Sequence, residues 1–194
     1  MAAPKILVLA GSVRTGSFNA RLAALAAKEL ALAEADVTLI SLADFPMPLY
    51  DGDLEAASGP PENAYKLKRL MCLQQGVFIA SPEYNASITP LLKNTLDWVS
   101  HTRDEGEEPL QVFKTRVFAL GSASPGGMGG LRSLITVRTV LELGLFALVL
   151  PDQFAVPRAN EAFDEHGHLK NKDSQEAFKQ LIQKLARAAH VLHG

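Results

Sequence analysis

Hydrophobic positions along the chain fall into two kinds of pattern. Five short continuous apolar runs, ILVLA from Ile6, VTLI from Val37, VFIA from Val77, VFAL from Val117 and FALVL from Phe146, each read as a strand. Continuous rather than alternating apolar character is what a strand shows when helices cover both faces of a parallel sheet. Between the runs, apolar residues recur at helical spacing. Phe18, Leu22, Leu25, Ala26 and Leu30 form one stripe, and Phe178, Leu181, Ile182, Leu185, Ala189 and Leu192 form another at the far end. Pro60 and Pro61 can open a helix through Tyr65, Leu67, Leu70 and Met71, with Gly76 as its stop. Ile88, Leu91, Leu92, Thr95, Leu96 and Val99 share a broad face, and Pro90 is tolerated because it lies in the opening turn. A further helix carries Leu131, Leu134, Ile135, Val140 and Leu141 before Gly144.

Strand and helix thus alternate five times, and right-handed crossovers turn that order into an α/β fold. The expectation is a flavodoxin-like three-layer sandwich around a five-stranded parallel sheet of order 2-1-3-4-5. One domain spanning residues 1–194 accounts for the length, because cores much below a hundred residues are hard to stabilise alone. The polar segments Asp51 to Pro61, His101 to Pro109 and Arg158 to Asp173 read as excursions from that domain rather than linkers.

Composition narrows the function classes. With 47% hydrophobic and 21% charged residues the chain can bury a full core. A net charge of −2 gives no long-range attraction for nucleic acid or anionic lipid. No run approaches the eighteen apolar residues of a membrane span, and MAAPK passes directly into a strand pattern, so the expected location is the cytoplasm. The single cysteine, Cys72, lies between Met71 and Leu73 and is read as a buried thiol in a reducing compartment.

Ligands of open α/β sheets sit beyond the carboxyl ends of the strands, near the point where strand order reverses. For this topology that means the loops after strands one, three and four, and those are the loops of unusual composition: GSVRTGSFN, SPEYNAS and GSASPGGMGG. In the first, the backbone N–H groups of Ser17, Phe18 and Asn19 at a helix start can cradle an anion. Ser12, Thr15, Ser17 and Asn19 add hydrogen-bond donors, and Arg14 adds a charge-assisted one. Taken singly, Ser17 reads as a helix cap and Gly11 and Gly16 as turn residues; together in one strand-to-helix loop they point to a phosphate. The loop lacks both G-x-x-x-x-G-K-[ST] and G-x-G-x-x-G, which leaves a mononucleotide. In the second loop, Tyr84 with Glu83, Asn85 and Ser87 beside a helix start can line a flat heterocycle, or form a plain turn with a surface aromatic. The third, with Gly126, Gly127, Gly129 and Gly130 after Ser122 and Ser124, either lets backbone approach a ligand or is simply flexible.

These loops carry a resemblance. GSVRTGSFN (11–19), PLYDGDLE (48–55), SPEYNASITPLLKNTLDW (81–98) and the Ser-Gly-rich loop 121–130 are similar to the NADPH-dependent FMN reductase family, flavodoxin-like reductases of quinones, chromate and azo dyes. The family usually has glycine where this chain has Ala86. The resemblance implies FMN as cofactor and NADPH or NADH as co-substrate. It implies phosphate contacts from Ser12, Arg14, Ser17, Phe18 and Asn19, an isoalloxazine bordered by Pro82, Glu83, Tyr84 and Asn85, and Ser122 near the flavin. It also implies a homodimer, in some relatives paired into a tetramer, with PLYDGDLE reaching a neighbour's site and Arg132 among the interface contacts. The reaction then expected is ping-pong: hydride passes from NAD(P)H to FMN, and electrons pass on to quinones, ferric chelates, chromate or azo compounds. The chemistry is FMN's, so no side chain is named as an acid or base.

Two readings compete. A flavodoxin-type electron carrier would hold FMN without using nicotinamide, but such carriers are similar in being strongly acidic, and this chain is almost neutral. A cofactor-free enzyme could bind a sugar phosphate at the same anion site. The EHGH segment with His166 and His168 is read as a solvated loop without a third metal ligand, and the absence of G-x-S-x-G weighs against an α/β-hydrolase.

Overall fold

The structure is a computed structural model that describes residues 2–193. Five strands, β1 (Lys5–Ala10), β2 (Asp36–Ile40), β3 (Gly76–Ala80), β4 (Val117–Ala123) and β5 (Leu148–Val156), pair in parallel in the order β2-β1-β3-β4-β5. Both faces of the central strands are buried. Alternate residues of β1 show it: Ile6 and Val8 join the core on one face, Leu7 and Leu9 the core on the other, and all are buried.

Helices α1 (Phe18–Leu32) and α8 (Lys172–His193) cover the first face. There Phe178 meets Phe78 edge-on, ring centroids 5.8 Å apart. The second face is covered by α3 (Glu62–Cys72), α4 (Pro90–His101) and α6 (Leu131–Thr139), which runs on into one π-turn at Val140–Gly144. Short helices α2 (Gly52–Ser58), α5 (Gln111–Lys114) and α7 (Ala159–Ala162) lie in the connections.

The expected topology is the observed one, and the differences are local. The segment Asp51 to Pro61 is not a bare excursion, because Asp51 caps α2 by accepting from the N–H groups of Asp53 and Leu54. Gly76 does not stop a helix: α3 ends at Cys72 and Gly76 opens β3, where a Cβ would lie 2.8 Å from Ile6 Cδ1. Cys72 is exposed, not buried, because it occupies the last turn of α3 beyond the face packed on the sheet. β5 begins at Leu148 rather than Phe146, whose φ of 54° turns the chain, and it then runs past the apolar stretch to Val156. Ile135 and Leu192 fall off their helix stripes and are exposed.

Candidate functional site

β1, β3 and β4 end side by side, and their following loops enclose an open cleft. Of the residues expected here, Ser12, Arg14, Ser17, Phe18, Asn19, Pro82, Glu83 and Tyr84 line it, together with Ala123, Ser124 and Pro125.

The first loop leaves β1 tied down at its base, where Gly11 N–H donates to Ala80 O and the Thr89 hydroxyl donates to Gly11 O at 2.6 Å. Thr89 Oγ1 also accepts from Leu92 N–H, so one buried hydroxyl caps α4 and anchors this loop. Ser17 caps α1, its Oγ accepting from Ala20 N–H at 3.4 Å. Capping and anion binding coexist here, since the cap engages the third N–H and leaves those of Phe18 and Asn19 without an intrahelical acceptor. Arg14 is exposed; its guanidinium makes long bonds to Thr15 O and Gly16 O, at 3.3 and 3.4 Å, and lies 6.0 Å from the Phe18 ring centroid, weak contacts that leave it able to turn to a ligand. The Asn19 side chain is committed elsewhere. It donates to Ala123 O at 2.8 Å and accepts from Ala123 N–H at 2.9 Å, locking α1 to the end of β4. What Asn19 offers a ligand is its backbone N–H.

The second loop is a two-residue hairpin. Tyr84 and Ser87 exchange N–H···O bonds of 2.9 and 3.0 Å, and Asn85 and Ala86 sit at φ of 49° and 63°. Both central residues are left-handed, the geometry that favours Asn-Gly, so Ala86 holds a conformation its methyl opposes. Asn85 occupies the exposed tip and does not line the cleft. The Glu83 carboxylate is engaged, pairing with the Arg132 guanidinium and accepting from Arg132 N–H at 3.0 Å. It thereby caps α6, whose own N-cap residue, Gly130, has no side chain to do so. Arg132 is thus engaged within its own chain.

In the third loop the glycines divide. A Cβ on Gly129 would lie 2.7 Å from backbone atoms of Val156 and Pro157, and one on Gly130 would lie 2.9 Å from Ser122. Both also take positive φ, so these two are required by packing. Gly127 faces open space, leaving room for a ligand beside it. Ser122 stands behind the cleft, fully buried, its hydroxyl donating to Gly129 O at 2.6 Å. β4 runs three residues past the apolar VFAL, which keeps Ser122 inside the sheet and makes Ser124 the first hydroxyl beyond it. Nothing in the apolar pattern marks that extension.

The cleft's donor set suits a phosphate dianion: two N–H groups at a helix start, the Ser12 hydroxyl and the weakly held Arg14 guanidinium. Pro82, Tyr84 and Pro125 offer flat apolar surface alongside, the requirement of a heterocyclic ring. Among the described residues no group of three or more His, Cys, Asp or Glu side chains is placed to hold a metal, and no helix is long and apolar enough to cross a membrane.

Comparison with known proteins agrees with this chemistry. Residues 4–161 match the family described as NADPH-dependent FMN reductase. An NAD(P)H-dependent FMN reductase of Pseudomonas aeruginosa is 31% identical over 98% of this chain and 97% of its own. A quinone reductase of Escherichia coli is 34% identical over 71% of this chain and 69% of its own. Among solved structures, the flavoenzyme NAD(P)H:(acceptor) oxidoreductase of Paracoccus denitrificans shares the fold, with a TM-score of 0.77 over 97% of this chain and 98% of its own, at 22% identity.

Proposed function

This chain belongs to the NADPH-dependent FMN reductase family, and on that premise we propose that it passes hydride from NADPH or NADH to bound FMN and delivers the electrons to quinones. Ferric chelates, chromate and azo compounds fit the same reading, because a cleft open to solvent selects acceptors weakly. Bound FMN supplies the redox chemistry. The chain's part is to hold it: the N–H groups of Phe18 and Asn19, with Ser12 and Arg14, take the phosphate, while Pro82, Tyr84 and the backbone of 123–125 border the ring. A ring held at this open cleft would meet donor and acceptor in turn on its exposed side, a ping-pong cycle.

The observation that carries this reading is the meeting of two helix-start N–H groups and a weakly held arginine with a flat apolar wall at the ends of β1, β3 and β4. Anaerobic addition of NADPH to the FMN-loaded protein tests it. The visible flavin band should bleach and a quinone should restore it; FMN that is not retained, or a band that NADPH and NADH both leave intact, contradicts it.

We further infer a homodimer. PLYDGDLE lies against α4, where Trp98 Nε1 and Asn94 Nδ2 both donate to Pro48 O. The segment leaves Leu49 at 77% exposure, an apolar side chain on a rigid mount that suits a second copy.

A further inference from the structure

A second cavity lies apart from the cleft at the ends of β1, β3 and β4. It lies at the end of β5, between α7 and the start of α8. Its floor is apolar, built from Phe154, Val156 and Leu169, and its rim carries Arg158, Lys170 and Glu161. Glu161 is partly occupied, accepting from Asn160 Nδ2 at 3.3 Å. Arg158 and Lys170 are exposed, and neither side chain has a hydrogen-bond, ion-pair or ring partner among the described residues. Arg158 is moreover held at φ 47°, a left-handed conformation that a non-glycine residue adopts at a cost.

Cavity and cleft share a wall. Ser124, which lines the cleft, donates its N–H to Val156 O and accepts from Ala159 N–H, while Arg158 N–H donates to Gly126 O. A ligand in the cleft and one in the cavity therefore press on the same stretch of backbone. An apolar floor with two uncommitted cations at its rim has the chemistry of a site for an aromatic base carrying a phosphate.

We propose that this cavity receives the adenosine end of NADPH, with the 2′-phosphate held between Arg158 and Lys170. The proposal rests on the reading that NADPH is the electron donor. It makes the cavity the element that distinguishes NADPH from NADH, since the dianion meets two cations and NADH lacks it.

The test uses the FMN-loaded protein and adenosine 2′,5′-bisphosphate, which carries the base and the 2′-phosphate but no nicotinamide. Calorimetry should show it binding to the parent protein. Arg158→Asn, in which asparagine tolerates the left-handed backbone, and Lys170→Gln should each weaken it about tenfold. The ratio of kcat/KM for NADPH to that for NADH should fall by a similar factor in each. If the bisphosphate does not bind while NADPH still bleaches the flavin, the donor reading stands and the cavity assignment is overturned. Undiminished binding in both correctly folded variants overturns it equally. A flavin that neither NADPH nor NADH reduces sinks the donor reading instead, and this assignment with it.

Discussion

Arg14 and Ala86 carry the sharpest consequences at the residue scale. Arg14 has no strong partner within the protein, so Arg14→Ala removes little from the fold and, on the proposed reading, one charge-assisted bond to the phosphate. FMN affinity, read by fluorescence titration, should fall about tenfold, whereas turnover of fully loaded enzyme should change much less. An unaltered affinity would remove Arg14 from the phosphate site. Ala86 sits at φ 63° in a turn whose second central residue favours glycine. Ala86→Gly should raise stability by about 0.5–1 kcal/mol, measured from the urea midpoint at constant slope. Most of the cleft-lining residues are legible from sequence, because hydroxyls, glycines and a cation concentrate in a strand-to-helix loop at the point where strand order reverses. What is not legible is where each side chain points. Asn19, Glu83 and Ser122 have the right types in the right loops, yet their polar side-chain atoms serve Ala123, Arg132 and Gly129.

Elements are held in register by polar contacts that sequence pattern does not announce. Glu83 caps α6 from across the cleft, so Glu83→Ala should cost about 1–3 kcal/mol and loosen the third loop, observable as a lower urea midpoint and faster amide exchange at 131–134. α3 is tied to the loop after α4 by Lys68, a buried lysine on Asp104 at 2.8 Å and in closer contact with Glu107. Burial opposes the ammonium charge, but the hydrogen bonds to Asp104 and Glu107 outweigh it and hold the lysine above its ordinary pKa. The bonds from Lys68 in turn hold both carboxylates below theirs. Depressed carboxylates contribute stability above the ordinary carboxylate range and lose it as pH falls through and below that range. The raised lysine keeps its contribution at every pH below its ordinary value and loses it only in strong alkali. Solvent screens the half-exposed carboxylates, so the effect is modest. Lys68→Met should therefore flatten the fall in stability between about pH 5 and pH 2, measured by urea unfolding at stepped pH. Lys68 is one of three basic residues in α3, and nothing in the sequence marks it as the buried one. The helices themselves were legible because their apolar stripes are long, whereas α2, α5 and α7 are too short to show a period.

For the whole molecule, the order β2-β1-β3-β4-β5 followed from five apolar runs separated by helices, since right-handed crossovers leave few alternatives. The same topology decides where three loops meet, and so places the site. Association is settled by the surface instead. If Leu49 lies in a subunit contact, Leu49→Asp should shift the protein from dimer to monomer by light scattering while FMN binding in the monomer's own cleft tests how self-sufficient that cleft is. Among all these measurements a crystal structure of the FMN-loaded protein bears most directly on the central claim. The account predicts the phosphate within hydrogen-bond distance of the N–H groups of Phe18 and Asn19 with Arg14 closed over it and the ring beside Tyr84. A phosphate bound anywhere else would contradict it.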